Sequence, residues 1–91
     1  MLYRLYLGGD NRKGGARFPE SDVAAVVAQQ HSGFTLYRAV GYWEGRPEET
    51  WIIEIAADKG RVYATAEILR ARFNQDAVAV VTVGAFELVE G

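Results

Sequence analysis

The spacing of apolar residues predicts an α+β domain, an antiparallel sheet with two helices on one face. Three observations lead there. Alternation with a period of two recurs in four segments, at 2–7, 34–42, 51–56 and 78–83. Two other segments, 19–31 and 58–74, carry apolar residues at helical spacing. The chain has 91 residues, 49% hydrophobic and 24% charged, which fits a single domain, 1–91, around one core.

Each element has its own local reason. In the first strand Tyr3, Leu5 and Leu7 are expected to face the helices and Leu2, Arg4 and Tyr6 the other side. The run from Gly8 to Gly15 breaks the alternation and reads as a polar connector. Pro19 suits the first position of a helix, and Glu20 and Asp22 complement its dipole. Val23, Val26, Val27 and Gln30 share a face of that helix, and Ser32-Gly33 ends it. The second strand, Phe34 to Tyr42, sets Phe34, Leu36, Arg38 and Val40 opposite Thr35, Tyr37 and Ala39. Gly45-Arg46-Pro47-Glu48 is expected to turn the chain, since Pro47 cannot donate to a ladder. Trp51, Ile53 and Ile55 alternate with Ile52, Glu54 and Ala56 in the third strand. Asp58 is a natural N-cap for a second helix to about residue 74, with Val62, Thr65, Ala66, Leu69 and Phe73 as its buried stripe. The β-branched run Val78–Val83 makes the fourth strand. Beyond Gly84, Ala85–Val89 alternates again, as a bulged continuation or a short extra C-terminal strand. The order β-α-β-β-α-β is that of the ferredoxin-like fold.

Composition closes several functional classes. Without cysteine there is no disulfide, thiolate metal site or thiol nucleophile, and a single His argues against His-rich zinc sites and a Ser-His-Asp triad. No metal and no cofactor are therefore expected. A net charge of −2 provides no basic field for nucleic acid or anionic lipid. No apolar run approaches the length of a membrane span, and Gly8-Gly9-Asp10 stands where a signal sequence would have its cleavage site. A cytoplasmic protein is expected. Helices cover only one face of such a sheet, yet both alternate sets of the strands are largely apolar. That predicts a homo-oligomer, a trimer or a dimer.

Two segments stand out as contact sites. The hairpin Gly41–Thr50 sets Tyr42 and Trp43 beside Glu44, Arg46 and Glu49, an aromatic anchor rimmed by charge. The alternative is that Trp43 folds back onto a sheet. Arg12 and Lys13, among the glycines of the first connector, form an anion-attracting pair for a small anionic ligand, although the spacing matches no phosphate loop. His31 reads as a cation at a helix C-terminus, and Glu54 as the partner of Arg4 or Arg38 across the strands. Tyr6, Tyr37 and Trp43 also suggest a stacking surface for single-stranded RNA, which the acidic balance argues against.

Gly33-Phe34-Thr35-Leu36 with Gly41-Tyr42-Trp43, then Glu49-Thr50, and finally Phe73-Asn74-Gln75-Asp76-Ala77-Val78, together resemble an uncharacterised family of small bacterial ferredoxin-like domains. That family combines a Gly-x-Trp hairpin with a Phe-x-Gln-acid-small-Val junction. The layout is also similar to the wider trimeric group of PII-like and divalent-cation-tolerance-like proteins. The resemblance implies trimers with ligands in clefts between subunits near the hairpin base. The hairpin here is much shorter than the PII signalling loop, and the nucleotide contacts of PII proteins have no one-to-one match.

The resulting expectation is a small oligomeric binding or regulatory domain that contacts its ligand or a protein partner through the hairpin and intersubunit clefts. One alternative is a ferredoxin-like enzyme of oxygenase or isomerase type, with a pocket between sheet and helices served by His31, Tyr37 or Glu54. Another is a host- or phage-encoded inhibitor that docks by its hairpin.

Overall fold

The computed structural model describes residues 1–11 and 16–91. Its elements are β1 (Leu2–Gly8), β2 (Asp10–Asn11), β3 (Ala16–Arg17), α1 (Glu20–Ala28), β4 (Thr35–Trp43), β5 (Arg46–Ala56), α2 (Lys59–Arg72) and β6 (Ala79–Gly84). The four long strands form one sheet in the order β4-β5-β1-β6, antiparallel throughout. With α1 and α2 between them in sequence, this is the ferredoxin-like β-α-β-β-α-β arrangement. Among the described residues no helix is long and apolar enough to cross a membrane.

Strand alternation sorts the side chains as expected. Tyr3, Leu5 and Leu7 of β1 and Trp51, Ile53 and Ile55 of β5 are buried under the helices. Val23, Val26 and Val27 of α1 and Val62, Ala66 and Leu69 of α2 meet them in one cluster. Phe18, just before α1, stacks on Phe73 at the end of α2, with ring centroids 4.3 Å apart. That pair closes the core beneath the start of α1. Asp58 caps α2 by accepting from the Arg61 N–H at 3.1 Å.

Several local expectations are corrected. The turn is Glu44-Gly45, not Gly45–Glu48: both residues have positive φ, 51° and 77°, the signature of a two-residue type I′ hairpin. Pro47 therefore sits inside β5, opposite Tyr42. One step beyond the hydrogen-bonded pair Trp43↔Arg46, a residue points its nitrogen away from the partner strand, and β1 ends at Gly8↔Thr50, so no ladder needs that donor. Pro19 is the N-cap of α1 and not its first residue. The first connector contains a two-residue ladder, Asp10↔Arg17 and Asn11↔Ala16. The register of β6 slips opposite Leu2 and Tyr3, which makes Val83 the extra residue of a bulge. Residues 85–91 form no strand.

Candidate functional site

A cleft of about 490 Å³ opens where three chain segments meet: the end of β1, the base of the β4–β5 hairpin and the connection from α2 to β6. Its position follows from strand lengths. β1 stops pairing at Gly8↔Thr50, whereas β5 runs on to Arg46 against β4 alone. Glu48 thus passes the end of β1 on the face away from the helices. On the other side α2 ends at Phe73, and Asn74 turns the chain through a left-handed conformation, φ 57°. Arg70 holds the turn: its carbonyl accepts from the Gln75 N–H at 2.9 Å and its guanidinium reaches the Gln75 carbonyl at 3.4 Å. Arg70 is itself clamped bidentately by Glu67, at 2.6 and 2.8 Å, which raises the arginine pKa and lowers that of Glu67.

Gly8 is the point of convergence. A β-carbon there would lie 2.6 Å from Glu48 Oε1 and 2.8 Å from Gln75 Oε1. The buried Gln75 donates its Nε2 to the Phe73 carbonyl at 3.2 Å, which turns Oε1 toward Gly8. Gly41 makes a second close approach, since a β-carbon would meet Thr50 Oγ1 at 2.7 Å. Tyr6 adds aromatic surface, Tyr42 lines the cleft beside Gly41 at the hairpin base, and Asp76 adds a second carboxylate. Arginine and lysine are absent from the described lining. The described lining thus combines carboxylate and amide oxygens, a hydroxyl and an aromatic side chain.

Of the residues singled out from sequence, Tyr42 reaches this cleft. Glu49 lies on the opposite face of β5, where the Arg38 guanidinium approaches it at 3.4 Å. Glu44 forms the turn and Arg46 is exposed at the tip. The side chain of Trp43 and residues Arg12 and Lys13 lie outside the described residues. Glu54 pairs with Arg4, Nε to Oε2 at 2.8 Å, and accepts from the Tyr37 hydroxyl at 3.2 Å. His31 is not an exposed cation at a helix end. It is buried, with Nε2 2.7 Å from Thr65 Oγ1 of α2. The Thr65 hydroxyl donates to the Arg61 carbonyl at 2.9 Å, so the His31 Nε2–H donates to Thr65. Burial, and then the nearby Arg61 charge, hold the imidazole pKa below its usual value. Among the described residues no cluster of His, Asp and Glu is placed to hold a metal.

Sequence reasoning included Gly8 in the first connector and Glu48 and Thr50 in the hairpin Gly41–Thr50, but did not single them out as site residues. Gln75 and Asp76 stood in the Phe73–Val78 junction but were not read as site residues. The signal was that junction lying in register with a strand-ending glycine, and register between distant segments is not visible locally.

No family model matches the chain, and no curated protein matches it. Among solved structures it is similar to a phage SAM lyase in complex with S-methyl-5'-thioadenosine, 23% identical over 87% of this chain and 76% of that one, with a TM-score of 0.57. A phage SAM lyase in the apo state gives a TM-score of 0.61 at 23% identity, covering 87% and 75% of the two chains. At this identity the likeness is one of fold.

Proposed function

We propose that this chain is a small oligomeric, cytoplasmic domain that binds an S-adenosylmethionine-type nucleoside in the cleft over Gly8. The observation that carries the reading is the convergence of Glu48 and Gln75 on a residue without a side chain. The carboxylates, the amide and the tyrosine of the described lining offer a nucleoside hydrogen-bond acceptors and an aromatic face. The fold shared with a phage SAM lyase supports the ligand class. The cleft opens on the face away from the helices, where Tyr37, Val81 and Val83 are exposed. A second copy on that face would complete the cleft, as the resemblance to PII-like trimers implies. A second reading, an enzyme that cleaves such a ligand, is favoured by the two carboxylates beside it.

Isothermal titration with S-methyl-5'-thioadenosine and S-adenosylmethionine tests the binding, with ATP as the anionic control. Micromolar to millimolar binding of the first two, and none of ATP, is the expected result. Gly8→Ala should abolish it, because the added methyl group displaces Glu48 Oε1 and Gln75 Oε1 from the point where they converge, and a thermal melt of the same variant measures what that displacement costs the fold. Retained affinity in Gly8→Ala would place the ligand elsewhere. Release of S-methyl-5'-thioadenosine from S-adenosylmethionine, followed by chromatography, would decide for the enzyme, and light scattering reads the oligomer.

A further inference from the structure

A second depression lies on the other face of the sheet, under the start of α1. It is a groove of about 720 Å³ between the segment Arg17–Glu20 and the β4–β5 edge. Strand alternation separates it from the cleft over Gly8: Trp51 and Glu49 point to the helix side of β5, Glu48 and Thr50 to the open side. Trp51 is only 4% exposed, and its indole Nε1 is a buried donor with no acceptor among the described residues. Buried polar groups are nearly always paired, so a donor left without a partner beside a groove invites an acceptor from outside.

The surroundings say which acceptor. The Arg38 guanidinium lies over the Trp51 ring, 6.0 Å from its centroid, on a side chain that is two-thirds exposed and free to swing. Its contact with Glu49 is one bond at 3.4 Å, which leaves most of its five N–H donors to give. Arg17 adds a second guanidinium, and α1 follows its N-cap Pro19 without a side-chain cap on its amides. Glu20 and Glu49 also line the groove, so its formal charge is balanced and a polyanion gains nothing. A single carboxylate matches these donors. Phe18, Pro19 and Leu36 offer apolar wall for the rest of the molecule.

We propose that this groove binds a small monocarboxylate with an apolar body. One oxygen accepts the Trp51 indole N–H as Arg38 moves aside, and the other pairs with the Arg38 guanidinium. The inference does not rest on the nucleoside cleft, which lies across the sheet.

The test reads the indole itself. The protein has two tryptophans, so its nitrogen-15 spectrum carries two indole signals, and Trp43→Phe assigns the one from Trp51. Phenylacetate titrated into the full chain should move the Trp51 signal saturably, whereas phenethylamine, which lacks the carboxylate, should not. Arg38→Gln should weaken phenylacetate binding by about tenfold or more, read from the saturation of the Trp51 shift and not from its starting position, which loss of the overlying guanidinium also moves. No saturable shift, an equal response to the amine, or an unchanged affinity in Arg38→Gln would each overturn the proposal.

Discussion

The two faces of the sheet are built from the same alternating strands and end in opposite conditions. On the helix side, Leu5, Leu7, Ile53 and Ile55 have no exposed surface, and both helices press their valines and leucines against them. On the open side Ile52 is the one buried strand residue among the described residues, in register between Tyr6 and Tyr37, and other positions carry an Arg4–Glu54–Tyr37 network, exposed valines and the cleft. Burial makes the first face a stability device. The second tolerates glycines, carboxylates and an amide brought within contact distance, and that tolerance is what a binding site needs. Changes to the helix side should therefore cost stability, and changes to the open side should cost little.

The largest effect is expected at Phe73. It is buried against Phe18, and Phe73→Ala should cost roughly 3–5 kcal/mol in urea melts. A loss under about 1 kcal/mol would mean that the helix side is not the core that its burial indicates.

A smaller, pH-dependent effect belongs to His31, which is neutral and bonded to Thr65 between the two helices. Its pKa is lower folded than unfolded, so the unfolded chain takes up a proton first as the medium acidifies. The contribution is complete above the unfolded value of 6.5 and is lost as pH falls from there toward the folded value. The slope for one such group cannot exceed about 1.4 kcal/mol per pH unit. Wild type and His31→Asn compared by denaturant melts at pH 7.5 and at about 5.5 should converge at the lower pH. Parallel loss in both would remove His31 from the account.

The smallest effect sharpens the other side of the comparison. Arg4 and Glu54 are partly exposed on the open face, with side-chain accessibilities of 31% and 22%. Glu54→Gln should cost only about 0.5–1 kcal/mol, and less in high salt. A loss as large as that of Phe73→Ala would show the open face to be buried, by a second copy or otherwise, and the contrast between the faces would fail.

Local sequence determined most of the fold, because the signals for it are local. Period-two alternation put Leu5 and Ile53 on one face, Asp58 announced the start of α2, and the stripe through Leu69 to Phe73 faced the core as read. The hairpin was legible too, although Pro47 drew attention away from Glu44-Gly45, since an edge position excuses a proline that a central strand would not. His31 was misread because a helix C-terminus predicts a cation only when that end meets water, and here α2 lies against it. The candidate cleft belongs wholly to the tertiary structure. Gly8, Glu48 and Gln75 are separated by dozens of residues, and only the register of β1 on β5 and the left-handed turn at Asn74 bring them within contact distance. Which face a strand residue takes depends on its neighbours in sequence; which residues share a cleft depends on where each strand stops, and that is decided by pairing across the whole sheet.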